Sequence, residues 1–351
     1  MTHITKPRVR HPDLPTNGLG LTRRDYEGPM STLCAGCGHD SITAAIVDAA
    51  WELELEPHRV GKISGIGCSS KTPTYFMRDA HGFNSVHGRM PAIATGAQAA
   101  NPDLTYIGIS GDGDSLSIGL GQLAHAIRRN VDMLYVLENN GVYGLTKGQF
   151  SASADVGSRA KRGETNRQEP IDPVLLALSV GATFVARSFS GDKAQLVPIL
   201  KAGIRHRGLA LVDVISPCVA FNDHEGSTKS YRYTRTHLER AVEADLILPR
   251  VEITASSVEG GRRSVTMHDG SVVHFRRVPP DFDPSDRDRT YAYIRERQKA
   301  GEIPTGLLFL DPSIPDHLDT LGVVESPLVD LPFDSLCPGS TALDEILNDF
   351  R

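Results

Sequence analysis

Two sets of residues in this chain have the types and spacing to do chemistry. The first lies in GDGD (111–114) and NNGVYG (139–144). The Asp112 carboxylate and the Asn140 side-chain oxygen are hard donors of the kind that hold Mg²⁺. Gly111 and Gly113 let a ligand approach the backbone closely, and a helix N-terminus directly after them favours phosphate. A dinucleotide-type glycine loop fits less well. Its third glycine would stand where the chain has Leu116, and a bare Asp112 would repel pyrophosphate. A divalent ion removes that conflict by bridging Asp112 to a diphosphate. The second set is the cysteines, five in all: the C-x-x-C pair Cys34 and Cys37, then Cys68, Cys218 and Cys337. Such a pair can be a redox dithiol, half of a zinc site or half of an iron–sulfur site. No strand pattern precedes Cys34, which argues against a thioredoxin-like dithiol, and Gly38 intervenes before His39, which argues against haem attachment. Four tetrahedral sulfurs would satisfy zinc, so ligand count leaves the metal open.

The elements that must position these residues are legible in outline. Apolar residues at Ile42, Ala45, Ile46, Ala49, Ala50 and Leu53 predict a helix over 39–53. RVGKISGIGCSS (59–70) reads as a strand breaking into a glycine-rich turn, and Leu104 to Ile109 as a buried strand running into GDGD. A helix over 115–130 and a strand over 133–138 complete a β-α-β unit, which places Asp112 and Asn140 at neighbouring C-terminal strand ends. The pattern continues with a helix at 172–180, a strand at 182–187, a helix near 193–206 and a strand at 209–216. The stretch 151–173 predicts a long polar loop, and RRSVTMHDGSVVHFRRV (262–278) a hairpin turning at Asp269-Gly270. The organisation read from this is an extended arm over 1–30, a cofactor-binding domain over 31–220 and a C-terminal extension over 221–351. The fold class is α/β, a mostly parallel sheet flanked by helices, and the proline-bearing, acidic end (311–351) reads as a wrapping tail.

The spacing G-D-G, about 25 residues, N-N resembles the diphosphate-binding signature of thiamine-diphosphate enzymes. That resemblance implies Asp112, Asn140 and the Val142 carbonyl as Mg²⁺ ligands. CAGCGHD (34–40), GIGCSS (65–70), HGRMPAIATGAQAAN (87–101), GDGD, NNGVYGLTKGQ (139–149) and SPCVAFN (216–222) follow in one order. Together they resemble the β subunit of the 2-oxoacid:ferredoxin oxidoreductases, closest to the 2-oxoglutarate branch, over roughly residues 30 to 310. The resemblance implies a thiamine-diphosphate-binding (pyrophosphate-domain) fold and one 4Fe–4S cluster on Cys34, Cys37, Cys68 and Cys218, with Cys337 a bystander. It also implies cofactor contacts from Ile66, Gly67, Cys68, Ser69, His87, Gly111, Gly113, Asp114, Gly144 and Leu145, with His87 in the active site. Lys147 is expected to pair with the distal carboxylate of a dicarboxylic 2-oxoacid. Leu33 and Ala35 stand where the family commonly has tryptophan and proline, but neither change removes a ligand.

The implied reaction is coenzyme A-dependent oxidative decarboxylation of a 2-oxoacid, with electrons leaving through the cluster to ferredoxin. The glutamate that activates thiamine is not visible here. The resemblance implies that an α subunit supplies it, in an α2β2 assembly. A pyruvate or broad-range 2-oxoacid enzyme is the nearest alternative. A non-oxidative thiamine decarboxylase would lack the spaced cysteines, and a zinc-stabilised module without catalysis is the alternative from another class.

Bulk properties agree. The 351 residues carry a formal charge of −6, which argues against nucleic acid or an anionic membrane as the main partner. No segment approaches the roughly 18 apolar residues of a membrane span, and the N-terminus has no apolar leader pattern, so the expected location is the cytoplasm.

Overall fold

The computed structural model describes residues 11–160, 163–247, 262–266, 270, 272–277, 282–337 and 339–351. Residues 1–10 of the expected arm and Asp269 of the expected hairpin turn lie outside these. The strands are β1 (Val60–Ser64), β2 (His81–Asn84), β3 (Thr105–Gly111), β4 (Met133–Asn139), β5 (Val142–Tyr143), β6 (Gln149–Phe150) and β7 (Phe184–Phe189). They continue with β8 (Leu209–Ile215), β9 (Leu238–Arg240), β10 (Val242–Ile247), β11 (Arg262–Thr266), β12 (Val272–Arg277) and β13 (Ile303–Leu310). The helices are α1 (Gly38–Glu52), α2 (Met90–Ala100), α3 (Leu120–Arg129), α4 (Pro173–Ser179), α5 (Lys193–Arg205) and α6 (Tyr231–His237). After these come α7 (Arg287–Lys299), α8 (His317–Leu321), α9 (Phe333–Leu336) and α10 (Ser340–Asp349).

The main sheet runs β2-β1-β3-β4-β8-β7-β13-β9. Its strands β2, β1, β3, β4, β8 and β7 pair in parallel, while β13 pairs antiparallel with β7. Every residue of β4 (MLYVLEN) and β8 (LALVDVI) is buried. Successive side chains of a strand point to opposite faces, so both faces of the sheet are covered, as continuous apolar runs in parallel strands require. α1 packs with α5, and α2, α3, α4 and α7 pack in succession. A second, three-stranded sheet runs β10-β12-β11 and contains the antiparallel β11–β12 pair expected around Gly270.

Register is what makes the site. Ile109 pairs with Ser64, Gly111 with Glu138, and Asn139 with Ile215. The C-terminal ends of β1, β3, β4 and β8 therefore meet along one edge of the sheet. The loops that leave them are 65–69, 112–114, 140–144 and 216–218.

Several elements differ from the sequence reading. Helix 115–130 is interrupted: a π-turn occupies Gly113–Ile118, and α3 begins only at Leu120. The Asp114 carbonyl accepts from Gly119 N at 2.8 Å, the wide turn by which the chain rolls off the sheet edge. The arm is docked at Tyr26, which is fully buried, and at Asn17, whose side chain donates to the Trp51 carbonyl at 3.1 Å. The loop 151–173 is internally braced, because the buried Asn166 side chain donates to the carbonyls of Ala154, Asp155 and Gln168. β13 brings residues from beyond 220 into the main sheet. The acidic end buries Leu318 but leaves most of its large apolar side chains in water: Val329 and Phe350 are each 86% exposed, and α10 buries none of its residues.

Behind the edge, the buried Lys62 on β1 donates to three carbonyls, those of Pro73 and Phe76 at 2.8 Å and of Met77 at 2.9 Å. This holds the segment that follows Cys68. Lys62→Met keeps the volume and removes the Lys62 donor from all three carbonyls, leaving only Met77 with another, from Ala80 N at 3.0 Å; it should destabilise the chain by about 3 kcal/mol in denaturant titration. A loss below about 0.5 kcal/mol, the range of an ordinary surface change, would show that the ammonium does not organise this segment.

Candidate functional site

Asp112 leaves β3 at the sheet edge with 1% of its surface exposed. A carboxylate so buried needs donors. Its Oδ2 accepts from Gly141 N at 3.0 Å and from the Ser153 hydroxyl at 2.6 Å, and the Ser151 hydroxyl also donates to it. Its Oδ1 has only a long contact to Asn140 N, at 3.4 Å. Burial pushes the Asp112 carboxyl up from its usual range, although the two serine hydroxyls and the charge of Lys229 pull the other way. Asn140 is turned inward as well: its Oδ1 accepts from Val142 N at 3.0 Å, and its carbonyl accepts from the Asn222 side chain at 2.8 Å.

A cleft opens here, about 490 Å³ including the solvent at its mouth, and it draws its walls from all the strand ends except that of β8. Ile66, Gly67, Cys68, Ser69, His87, Gly111, Asp112, Gly113, Asp114, Asn140, Val142, Gly144 and Leu145 all line it. Ser69 Oγ is buried in this wall with no hydrogen-bond partner. Tyr143 lies over the Gly111–Gly113 turn, its hydroxyl donating to the Gly113 carbonyl at 2.8 Å. A Cβ at Gly113 would come within 2.5 Å of the Tyr143 ring, so only glycine fits. Asp114 spends its carboxylate on structure, accepting from Gly88 N at 2.8 Å and from the Ser110 hydroxyl at 3.0 Å. That tie fixes the turn carrying His87, which is exposed at the cleft wall. Lys147 is not in the wall: it is exposed, on a left-handed backbone with φ 77°.

The cysteines converge beside the cleft. A Cβ at Gly144 would lie 3.3 Å from Cys68 Sγ and 3.6 Å from Cys218 Sγ. Gly38 brings the other pair: its N–H donates to the Pro217 carbonyl at 3.3 Å, and a Cβ there would lie 2.5 Å from Ser216 Oγ. Glycine thus seats the start of α1 against the Cys218 loop. Burial pushes the Cys37 thiol up to about 12, with Glu138 and Cys218 adding to it. Burial also raises Cys68, with Cys218 and Cys34 adding, and raises Cys218, with Cys34 adding. Among the described residues, no three His, Cys, Asp or Glu side chains gather as ligands of a single ion would. Four thiols within electrostatic reach, yet not around one point, suit a multi-iron cluster, whose ligands bind different irons. Cys337 is exposed near the end of the chain.

These observations meet the needs of the implied groups. An orphaned Ser69 hydroxyl, a glycine cradle and a buried carboxylate with one under-used oxygen fit a diphosphate and a hard cation. The thiols fit an iron–sulfur cluster.

Residues that sequence reasoning missed include His39, Glu138, Ser151 and Ser153. His39 lines the cleft, and its Nδ1 lies 2.7 Å from Ser216 Oγ and 3.5 Å from Glu138 Oε2. Burial lowers His39 to about 4 and pushes Glu138 well above its usual range, so near neutrality His39 is uncharged and the contact is not an ion pair. A glutamate closing the apolar run MLYVLE was the available signal for Glu138. Nothing local marked the two serines.

Comparison with known proteins places this geometry. Residues 65–214 match the family model of the thiamine pyrophosphate enzyme C-terminal TPP-binding domain. The 2-oxoacid:ferredoxin oxidoreductase subunit beta of Saccharolobus solfataricus is 44% identical over 58% of this chain and 67% of its own length. The 2-oxoglutarate oxidoreductase subunit KorB of Mycobacterium tuberculosis is 41% identical over 63% of this chain and 59% of its own length. A 2-oxoglutarate:ferredoxin oxidoreductase from Magnetococcus marinus, solved with 2-oxoglutarate, coenzyme A and succinyl-CoA, superposes with a TM-score of 0.70 at 31% identity. That match covers 90% of this chain and 94% of the solved one. A non-catalytic zinc module finds no support among these relatives. The chain belongs to the β-subunit family of the 2-oxoacid:ferredoxin oxidoreductases.

Proposed function

We propose that this chain is the β half of an enzyme that oxidatively decarboxylates 2-oxoglutarate to succinyl-CoA and passes the electrons to ferredoxin. The observation that carries the reading is the shared wall of the cleft. Asp112 and Cys68 face the same space, and Gly144, beside the Cys68 and Cys218 thiols, closes it. Thiamine diphosphate, when bound, supplies an electron sink for the carbon that loses CO₂, and the cluster supplies a one-electron path outward.

The chain's own groups have separate tasks in this reading. Asp112 and the Asn140 side-chain oxygen, with the Val142 carbonyl, hold Mg²⁺, and Ser69 donates to the diphosphate. Cys34, Cys37, Cys68 and Cys218 hold the cluster. Ile66, Gly67, Gly111, Gly113, Gly144 and Leu145 shape the cofactor wall, Asp114 fixes the turn bearing His87, and His87 guards the mouth where substrate enters. Neutral His39 adds no charge behind the thiolates near pH 7. An α subunit completes the site in an α2β2 assembly. Exposed Val86 beyond edge strand β2, and Val329, Phe333 and Phe350 in the acidic end, are the kind of apolar surface that a partner chain covers. No helix among the described residues is long and apolar enough to cross a membrane. Five free thiols suit a reducing cytoplasm.

A broad-range 2-oxoacid enzyme is the second reading, favoured by the exposure of Lys147 outside the cleft wall.

Two experiments test these assignments. Asp112→Ala should abolish thiamine-diphosphate binding in calorimetry while leaving the cluster's visible spectrum intact, and unchanged affinity would remove Asp112 from the metal site. In the assembled enzyme, Lys147→Ala should raise the KM for 2-oxoglutarate roughly 10- to 100-fold, the loss of one charge-assisted hydrogen bond. The KM for pyruvate should stay nearly constant. Equal changes for both oxoacids would favour the broad-range reading.

A further inference from the structure

Asp112 stands at one end of a buried polar chain that crosses the sheet. The Ser153 hydroxyl lies 2.6 Å from Asp112 Oδ2 and 2.8 Å from Asn139 Oδ1. Asn139 Nδ2 donates to Asp213 Oδ1 at 2.9 Å, and Arg187 Nε donates to Asp213 Oδ2 at 2.7 Å. Arg187 Nη2 donates in turn to Asp172 Oδ1 at 2.7 Å. Asp172 also caps α4 through Val174 N and Leu175 N, and it accepts from Gln298 of α7. Ser153, Asn139, Arg187 and Asp213 are all buried.

The polarity of this chain is fixed from Arg187 as far as Asn139. A guanidinium only donates, so Asp213 must accept from Arg187. The other Asp213 oxygen then requires the NH₂ of Asn139, which removes the usual freedom of an amide to flip. Asn139 Oδ1 is thereby turned to Ser153, whose single hydroxyl proton is shared between that oxygen and Asp112 Oδ2. With Ser151, Ser153 and Gly141 N all on Asp112 Oδ2, the oxygen left under-used is Oδ1. Burial pushes Asp172 up, but the Arg187 guanidinium beside it outweighs this and holds the carboxyl below its usual range. The far anchor is thus a charged fork on fixed carboxylates.

We infer that Arg187 is a positioning residue for the cation-binding carboxylate, acting through Asp213, Asn139 and Ser153 to decide which Asp112 oxygen is offered to the metal. The inference rests on the proposed Mg²⁺ site and adds to it a determinant lying three strands away, on β7. Removing a hydrogen-bond partner of a metal ligand typically lowers metal affinity about 10- to 100-fold.

The test is a Mg²⁺ titration of the assembled enzyme at saturating thiamine diphosphate, read by calorimetry, with cluster absorbance and melting temperature recorded for each variant. Ser153→Ala and Asn139→Ala should each raise the half-saturating Mg²⁺ concentration about tenfold. Ser153→Thr, which keeps the hydroxyl, should restore it, and Arg187→Lys, which keeps charge but loses the fork, should raise it severalfold. Because the links act in series, the Ser153→Ala/Asn139→Ala double variant should also stand near tenfold and not near one hundredfold. Additive losses, or a lowered melting temperature with unshifted Mg²⁺ dependence, would overturn the relay and leave the metal site standing. Mg²⁺-independent cofactor binding by the unsubstituted enzyme would overturn both.

Discussion

A carboxylate sealed from water is the constraint on which this sheet edge is built. Asp112 can remain there only if donors or a cation compensate it, and burial alone pushes its carboxyl upward. The chain answers from three directions. The turn after β4 supplies Gly141 N, the braced loop after β6 supplies the hydroxyls of Ser151 and Ser153, and Lys229 contributes its charge from beyond Cys218. The N–H and the two hydroxyls crowd one oxygen of the carboxylate. That asymmetry leaves Oδ1 under-used on a residue that lines the cleft.

The same edge resolves a second problem, which is to bring four thiols from three distant stretches together beside that cleft. Strand register ends β1, β3, β4 and β8 level, and the Cys68 and Cys218 thiols both approach Gly144. The C-x-x-C pair arrives by another route. Gly38 lets α1 begin in contact with Ser216 and Pro217, a position that any Cβ would close. Burial makes ionised thiols costly at Cys37, Cys68 and Cys218, so positive metal would be needed to keep them deprotonated. Gly144, on the loop that follows Asn140, lies beside the Cys68 and Cys218 thiols and lines the same cleft as Asp112.

Much of this was legible in the sequence because the signals were local. Continuous apolar runs mark β3, β4 and β8, and their order with the intervening helix places Asp112 beside Asn140. The six ordered motifs carried the family and almost the whole cleft wall. What stayed hidden depends on contacts with no local period. Ser151 and Ser153 sit in a polar loop that resembles any solvated connection, and only the fold turns them onto Asp112. Arg187 closes an apparently ordinary apolar strand, and its role needs Asp172 and Asp213 from two other elements. The antiparallel return of β13 left no trace in periodicity, and neither did the π-turn at 113–118, because both follow from how the chain leaves a sheet edge. Lys147 had a motif position but no signal for its orientation, and the structure places it outside the cleft wall.

The central claim is that one sheet edge couples thiamine chemistry to an iron–sulfur cluster. Its most direct measurement is an anaerobic optical titration of the brown, assembled enzyme with 2-oxoglutarate and coenzyme A. The account predicts that cluster absorbance bleaches on substrate addition only when thiamine diphosphate and Mg²⁺ are both present, and that it recovers when ferredoxin is added. A colourless protein, or bleaching that proceeds equally without thiamine diphosphate, would contradict it.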